Sequence, residues 1–129
     1  MSDFVPKEGS LDVSQTVHDF MSTIEHNPKQ GESDRLKLFG VNQKNDIFKL
    51  GFAIGYVHRL EFISVEGEER KTVSPRGFPM KNYRTFLNEE AIERKMSIGG
   101  LLSAYAEAGL RHLQQHLDAG KDVLELIEY

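Results

Sequence analysis

No cysteine occurs among the 129 residues, and no tryptophan. The first absence removes disulfides, thiol nucleophiles and thiolate zinc sites together, and it suits a reducing compartment. Long hydrophobic runs are missing too, the longest apolar cluster falling far short of the ~20 residues that span a bilayer. The opening MSDFVPKEGS is polar and has no secretory apolar core. A cytoplasmic protein without membrane contact is the expectation. Basic residues are the minority, 16 against 20 acidic, for a net charge of −4. That balance works against a simple nucleic-acid binder, because phosphate contact needs a basic face. Signatures of a P-loop, a dinucleotide site, a nucleophile elbow or a kinase are also absent. Gly51 and Gly55 lack the Lys-Ser/Thr of a phosphate loop and sit inside a helical pattern. Neither an enzyme nor a cofactor is expected.

What is present is a hydrophobic share of 39% beside 28% charged residues, enough to bury one core. The stretch Asn45 to Arg59, NDIFKLGFAIGYVHR, is apolar around most of the helical wheel and predicts a central helix that must be widely covered. Gly51 and Gly55 cost it roughly 1 kcal/mol each against Ala. They make sense where a second backbone packs close, and Gly109 is the candidate partner. Leu11, Val13, Val17, Phe20, Met21 and Ile24 predict a helix over 11–26, stopped by Asn27-Pro28. Arg35 to Phe39 suggests a short strand. Residues 61–65 and 70–74, around Gly67, read as a β-hairpin. A short helix is expected over 81–87 and a surface helix over 89–96. Ile98, Leu101, Leu102, Tyr105, Leu110, Leu113 and Leu117 trace a strong helix over 97–117, ended by Gly120, before an apolar tail at 123–127. The fold class is therefore α+β, mainly helical: four to five helices around a central buried helix, with a small β-hairpin. Residues 1–10 read as a flexible N-terminus and 11–129 as a single globular domain.

Three constellations could carry chemistry. His112 and His116 lie one helical turn apart, a spacing that can share a metal, but HLQQH lacks the glutamate of a metalloprotease and zinc needs further ligands. The acidic groups Glu89-Glu90-Glu93, Glu66-Glu68-Glu69 and Glu125-Glu128 lie in polar runs and read as solvated faces. Residues 70–84 hold five basic residues and no acidic one. Within them Arg70, Lys71, Arg76, Lys81 and Arg84, interleaved with Phe78 and Tyr83, have the cations and aromatics that bind nucleic acid. An acidic protein partner suits them as well and is the favoured expectation.

Two segments carry a family resemblance. KNDIFKLGFAIGYVHRLEF, residues 44–62, and AYAEAGLRHLQQHLDAGKDVLELI, residues 104–127, resemble the front and closing patterns of small accessory proteins associated with Dnd (DNA phosphorothioation) modification and restriction systems. The resemblance implies a non-enzymatic accessory or adaptor subunit of a prokaryotic DNA-modification or phage-defence complex. Its partners would be protein subunits of that complex, with DNA contact and homo-oligomer formation as further expectations. The resembling motifs are packing residues, so no functional residue is carried over. A DNA-binding transcriptional regulator and a phage-encoded inhibitor of a defence system are the competing readings.

Overall fold

Ser14 divides the first apolar run into two elements. In the computed structural model, which describes residues 5–26, 44–63, 67–73 and 79–120, Leu11–Ser14 forms strand β1 and Gln15–His26 forms helix α1. The Ser14 hydroxyl accepts the Val17 N–H at 3.2 Å and so caps α1. The helix expected from Leu11 thus begins at Gln15. Leu11 and Val13, two apart, fit a strand face as readily as a helical one, and long-range hydrogen bonds decide between them. The expected strand at 35–39, Arg76 and the tail at 123–127 lie outside the described residues.

β1 pairs antiparallel with β2, Arg70–Val73, in the register Leu11↔Val73 to Ser14↔Arg70. The second arm of the expected hairpin is therefore a strand whose partner among the described residues comes from the beginning of the chain; residues 64–66 of the expected hairpin lie outside the described residues. The reason lies on the other edge of β1. There Ser103 Oγ accepts the Asp12 N–H at 2.9 Å and Glu107 Oε1 accepts the Ser14 N–H at 2.8 Å. Residues four apart on a helix are ~6 Å apart and alternate strand residues ~6.7 Å, so one helical turn matches one strand repeat. A helix thereby takes one edge of β1 and leaves the other for β2.

That helix is α4, Ile98–Asp118. It packs against α1, β1, α2 (Lys44–Val57) and α3 (Met80–Arg94). The hub is therefore α4, with α2 as its closest neighbour, where the sequence pointed to α2 at the centre. Along α2, Ile47, Phe48, Phe52 and Ile54 are buried, while Ala53 and Val57 are exposed. The close approach inferred from the glycines is present: a Cβ on Gly109 would collide with the Gly51 carbonyl, and one on Gly55 with the Tyr105 carbonyl.

α3 is one helix where two were expected, since 87–89 contains neither Pro nor Gly to interrupt it. It rests on the core through Leu87 and Ala91. Ser97 caps α4 by accepting the Gly100 N–H at 2.9 Å. The Lys7 and Glu8 carbonyls accept the Ile98 and Gly99 N–H groups at 2.7 and 2.6 Å, which ties residues 5–10 to the helix start. The buried side chains form a continuous cluster, and the fold is α+β, mainly helical, with a two-stranded antiparallel sheet.

Candidate functional site: an aromatic and acidic cleft

Two helix ends shape the site. At the end of α2, Leu60 N–H bonds the Gly55 carbonyl (3.0 Å) and Arg59 N–H bonds the Tyr56 carbonyl (3.2 Å). At the end of α3, Met96 N–H bonds Ala91 (3.0 Å) and Lys95 N–H bonds Ile92 (3.2 Å). These are Schellman closures. Their left-handed positions hold Arg59 (φ 51°) and Lys95 (φ 54°) instead of glycine, at a cost of about 1–2 kcal/mol each.

The turn at Arg59 sends its guanidinium over the Tyr56 ring, 4.6 Å from the centroid. From there it donates to the Tyr105 hydroxyl (3.1 Å) and to Glu90 Oε1 (3.3 Å). Tyr105 in turn donates its hydroxyl to Glu90 Oε2. Arg94, one turn after Glu90 on α3, donates to the same oxygen at 3.0 Å and lies 4.4 Å over the Phe62 ring. Between these groups opens a cleft of about 680 Å³ lined by Tyr56, Leu60, Phe86, Tyr105 and the charged residues of α3. Phe86 is 58% exposed at its mouth, its ring 4.9 Å from Tyr56. Phe52, Tyr56 and Phe62 meet Tyr105 edge-on and form the wall behind.

The charges are largely settled within the cleft. Burial pushes the Glu90 carboxyl up, but hydrogen bonds from Tyr105, Arg59 and Arg94 outweigh it and hold the group below the usual carboxylate range. Burial, and then the bond to Glu90, raises the Tyr105 phenol. At neutral pH the pair is therefore carboxylate and phenol. Glu89 and Glu93 line the rim and carry no hydrogen-bond or ion-pair partner among the described residues.

A second charged cluster holds β1 in place. Glu107, buried at 2% exposure, accepts from Ser14 N–H, Ser14 Oγ (2.7 Å) and Arg111 Nε (2.6 Å). Arg111 also donates to Glu68 at 2.7 Å and to Ser14 Oγ at 3.1 Å. The Thr16 hydroxyl, donating to Glu68 at 2.6 Å, and then Arg111 lower the Glu68 carboxyl.

Of the basic residues singled out in 70–84, Arg76 lies outside the described residues and the other four are on β2 and α3. Arg70 donates to the Asp12 carbonyl (3.2 Å) and lies 3.9 Å from Glu107, while Lys71 pairs with Glu69 at 3.2 Å. Arg84 donates to the Pro6 carbonyl at 3.1 Å. Tyr83 is half-buried, edge-on to Phe52 at 5.3 Å, and burial raises its phenol. It packs partly buried against the core. Lys81 is exposed without a partner among the described residues. His112 comes within 6.3 Å of His58, ring to ring. No three metal-ligating side chains gather among the described residues.

Sequence reasoning did not link Arg59, Glu90 and Tyr105. One faint signal was available: Tyr105, a large aromatic among the small residues of α4. No helix among the described residues is long and apolar enough to cross a membrane. A scan against family models and searches of curated proteins and of solved structures find no match.

Proposed function

We propose that this chain is a non-enzymatic accessory subunit of a prokaryotic DNA-modification or phage-defence system, acting in the cytoplasm by protein–protein contact. The resemblance of residues 44–62 and 104–127 to Dnd-associated accessory proteins supplies the setting. The observation that carries the contact reading is the state of the cleft. Its central titratable groups, Glu90 and Tyr105, hold each other in the charge states they keep across neutral pH, while its mouth offers an exposed Phe86 beside unpaired carboxylates. Locked charges with an open apolar mouth suit recognition better than proton transfer. Direct DNA contact through 70–84 is the second reading, favoured by the exposed, unpaired Lys81. It is weakened because Arg70, Lys71 and Arg84 already have partners in the fold.

The test is a pull-down of the tagged chain from its native host, with and without nuclease, beside an Arg76→Glu/Lys81→Glu variant. Arg84 is left intact because it holds Pro6. Retention of a DNA-modification or defence subunit after nuclease treatment supports the accessory reading. Recovery of nucleic acid alone, lost in the variant, replaces it with a DNA-binding regulator.

A further inference from the structure

The cleft has two kinds of charge, and only one is available to a newcomer. Arg59 and Arg94 already donate to Glu90 and lie over the Tyr56 and Phe62 rings. A phosphate or carboxylate entering the cleft would have to break those pairs and leave Glu90 uncompensated. Glu89 and Glu93 stand one turn apart on α3 with no partner among the described residues, so a cation meets two carboxylates and displaces nothing. With three carboxylates against two guanidinium groups in the lining, the field at the mouth also favours a cation. Beside it stands Phe86, 58% exposed and continuous with Tyr56 and Leu60.

We propose that this cleft docks a basic segment of a partner protein, one that places an apolar side chain against Phe86, Tyr56 and Leu60 and a Lys or Arg between Glu89 and Glu93. The inference rests on the protein-contact reading above and names the surface and the partner chemistry. Interfaces of this kind combine an aromatic anchor that excludes water with rim charges that steer the partner and set its orientation. Nucleic acid is the disfavoured occupant, since its phosphates meet Glu89 and Glu93 first.

The probe is a fluorescein-labelled synthetic peptide of alternating Leu and Arg, titrated by anisotropy at near-physiological salt. Peptides of Leu with Glu and of Ser with Arg serve as controls, and a labelled short DNA duplex is titrated separately, because duplex phosphates would capture the cationic peptide themselves. The Leu/Arg peptide is expected to bind at least tenfold tighter than either control. Glu89→Lys/Glu93→Lys should weaken it at least tenfold and Phe86→Ser severalfold, while Lys81→Glu leaves it unchanged. Lys81, Phe86, Glu89 and Glu93 are all exposed, and an unchanged melting temperature verifies folding. Equal binding of the Leu/Glu peptide, unaltered binding by the cleft variants, or duplex binding that Phe86→Ser weakens overturns the proposal. In the host pull-down, protein partners retained by Glu89→Lys/Glu93→Lys would overturn the cleft while leaving the accessory function in place. A wild-type pull-down that yields only nucleic acid would overturn the function itself.

Discussion

A carboxylate at 2% exposure is costly unless its lone pairs are filled, and Glu107 has Ser14 and Arg111 to fill them. Replacing it with Ala strands the buried Ser14 N–H and the Arg111 Nε, and leaves Glu68 as the remaining carboxylate on Arg111 among the described residues. Glu107→Ala is therefore expected to lose about 3–5 kcal/mol of folding stability in urea titrations. Lys95 offers the opposite case. Its backbone occupies the left-handed region at φ 54°, and its side chain has no partner among the described residues. Lys95→Gly should gain roughly 0.5–1 kcal/mol, the relief of left-handed strain less the added freedom of the unfolded chain. Neither effect is visible in the sequence alone, where Glu107 is one more helix glutamate and Lys95 one more surface lysine.

At the scale of elements, the contact between α2 and α4 is a test of backbone proximity. Gly109→Ala would improve helix propensity by about 1 kcal/mol, but the new methyl meets the Gly51 carbonyl. Backbone cannot give way as a flexible side chain can, so the net expectation is a loss of several kcal/mol, or no folded protein, read by thermal melting. The glycine spacing that signals this contact is legible in the sequence, and so is the extent of α4 to within a residue. The boundary between β1 and α1 is not. Leu11 and Val13 satisfy a strand and a helix alike, and Ser103 and Glu107, some 90 residues away, favour the extended form together with the pairing to β2. Ser14→Ala removes the cap and one Glu107 partner, and should cost about 1–2 kcal/mol. Faster hydrogen exchange in the first turn of α1 would report it.

For the whole molecule, the charged clusters set the pH range of stability. Glu68 and Glu90 are held below their ordinary values, so their contribution is complete above the usual carboxylate range and is lost as pH falls through the lowered pKa values. Tyr83 and Tyr105 are raised by burial, Tyr105 further by Glu90. Their contribution is intact below about pH 10, the ordinary phenol value, and is lost as pH rises beyond it. The melting temperature should form a plateau between roughly pH 5 and 9 and fall on both sides. Glu90→Gln should flatten the acid limb and Tyr105→Phe the alkaline one.

The sequence by itself determined which segments are helical over most of their length, where α4 starts and stops, and that α2 needs a close neighbour, because periodicity, caps and glycine spacing act within a few residues. The tertiary structure decided that β2 pairs with the beginning of the chain, that α4 and not α2 is the hub, and that Arg59, Glu90 and Tyr105 share one cleft. Those bonds join residues 15 to 46 positions apart. Contacts at such separations follow from where whole elements come to rest against one another, and the local pattern of side chains does not encode them.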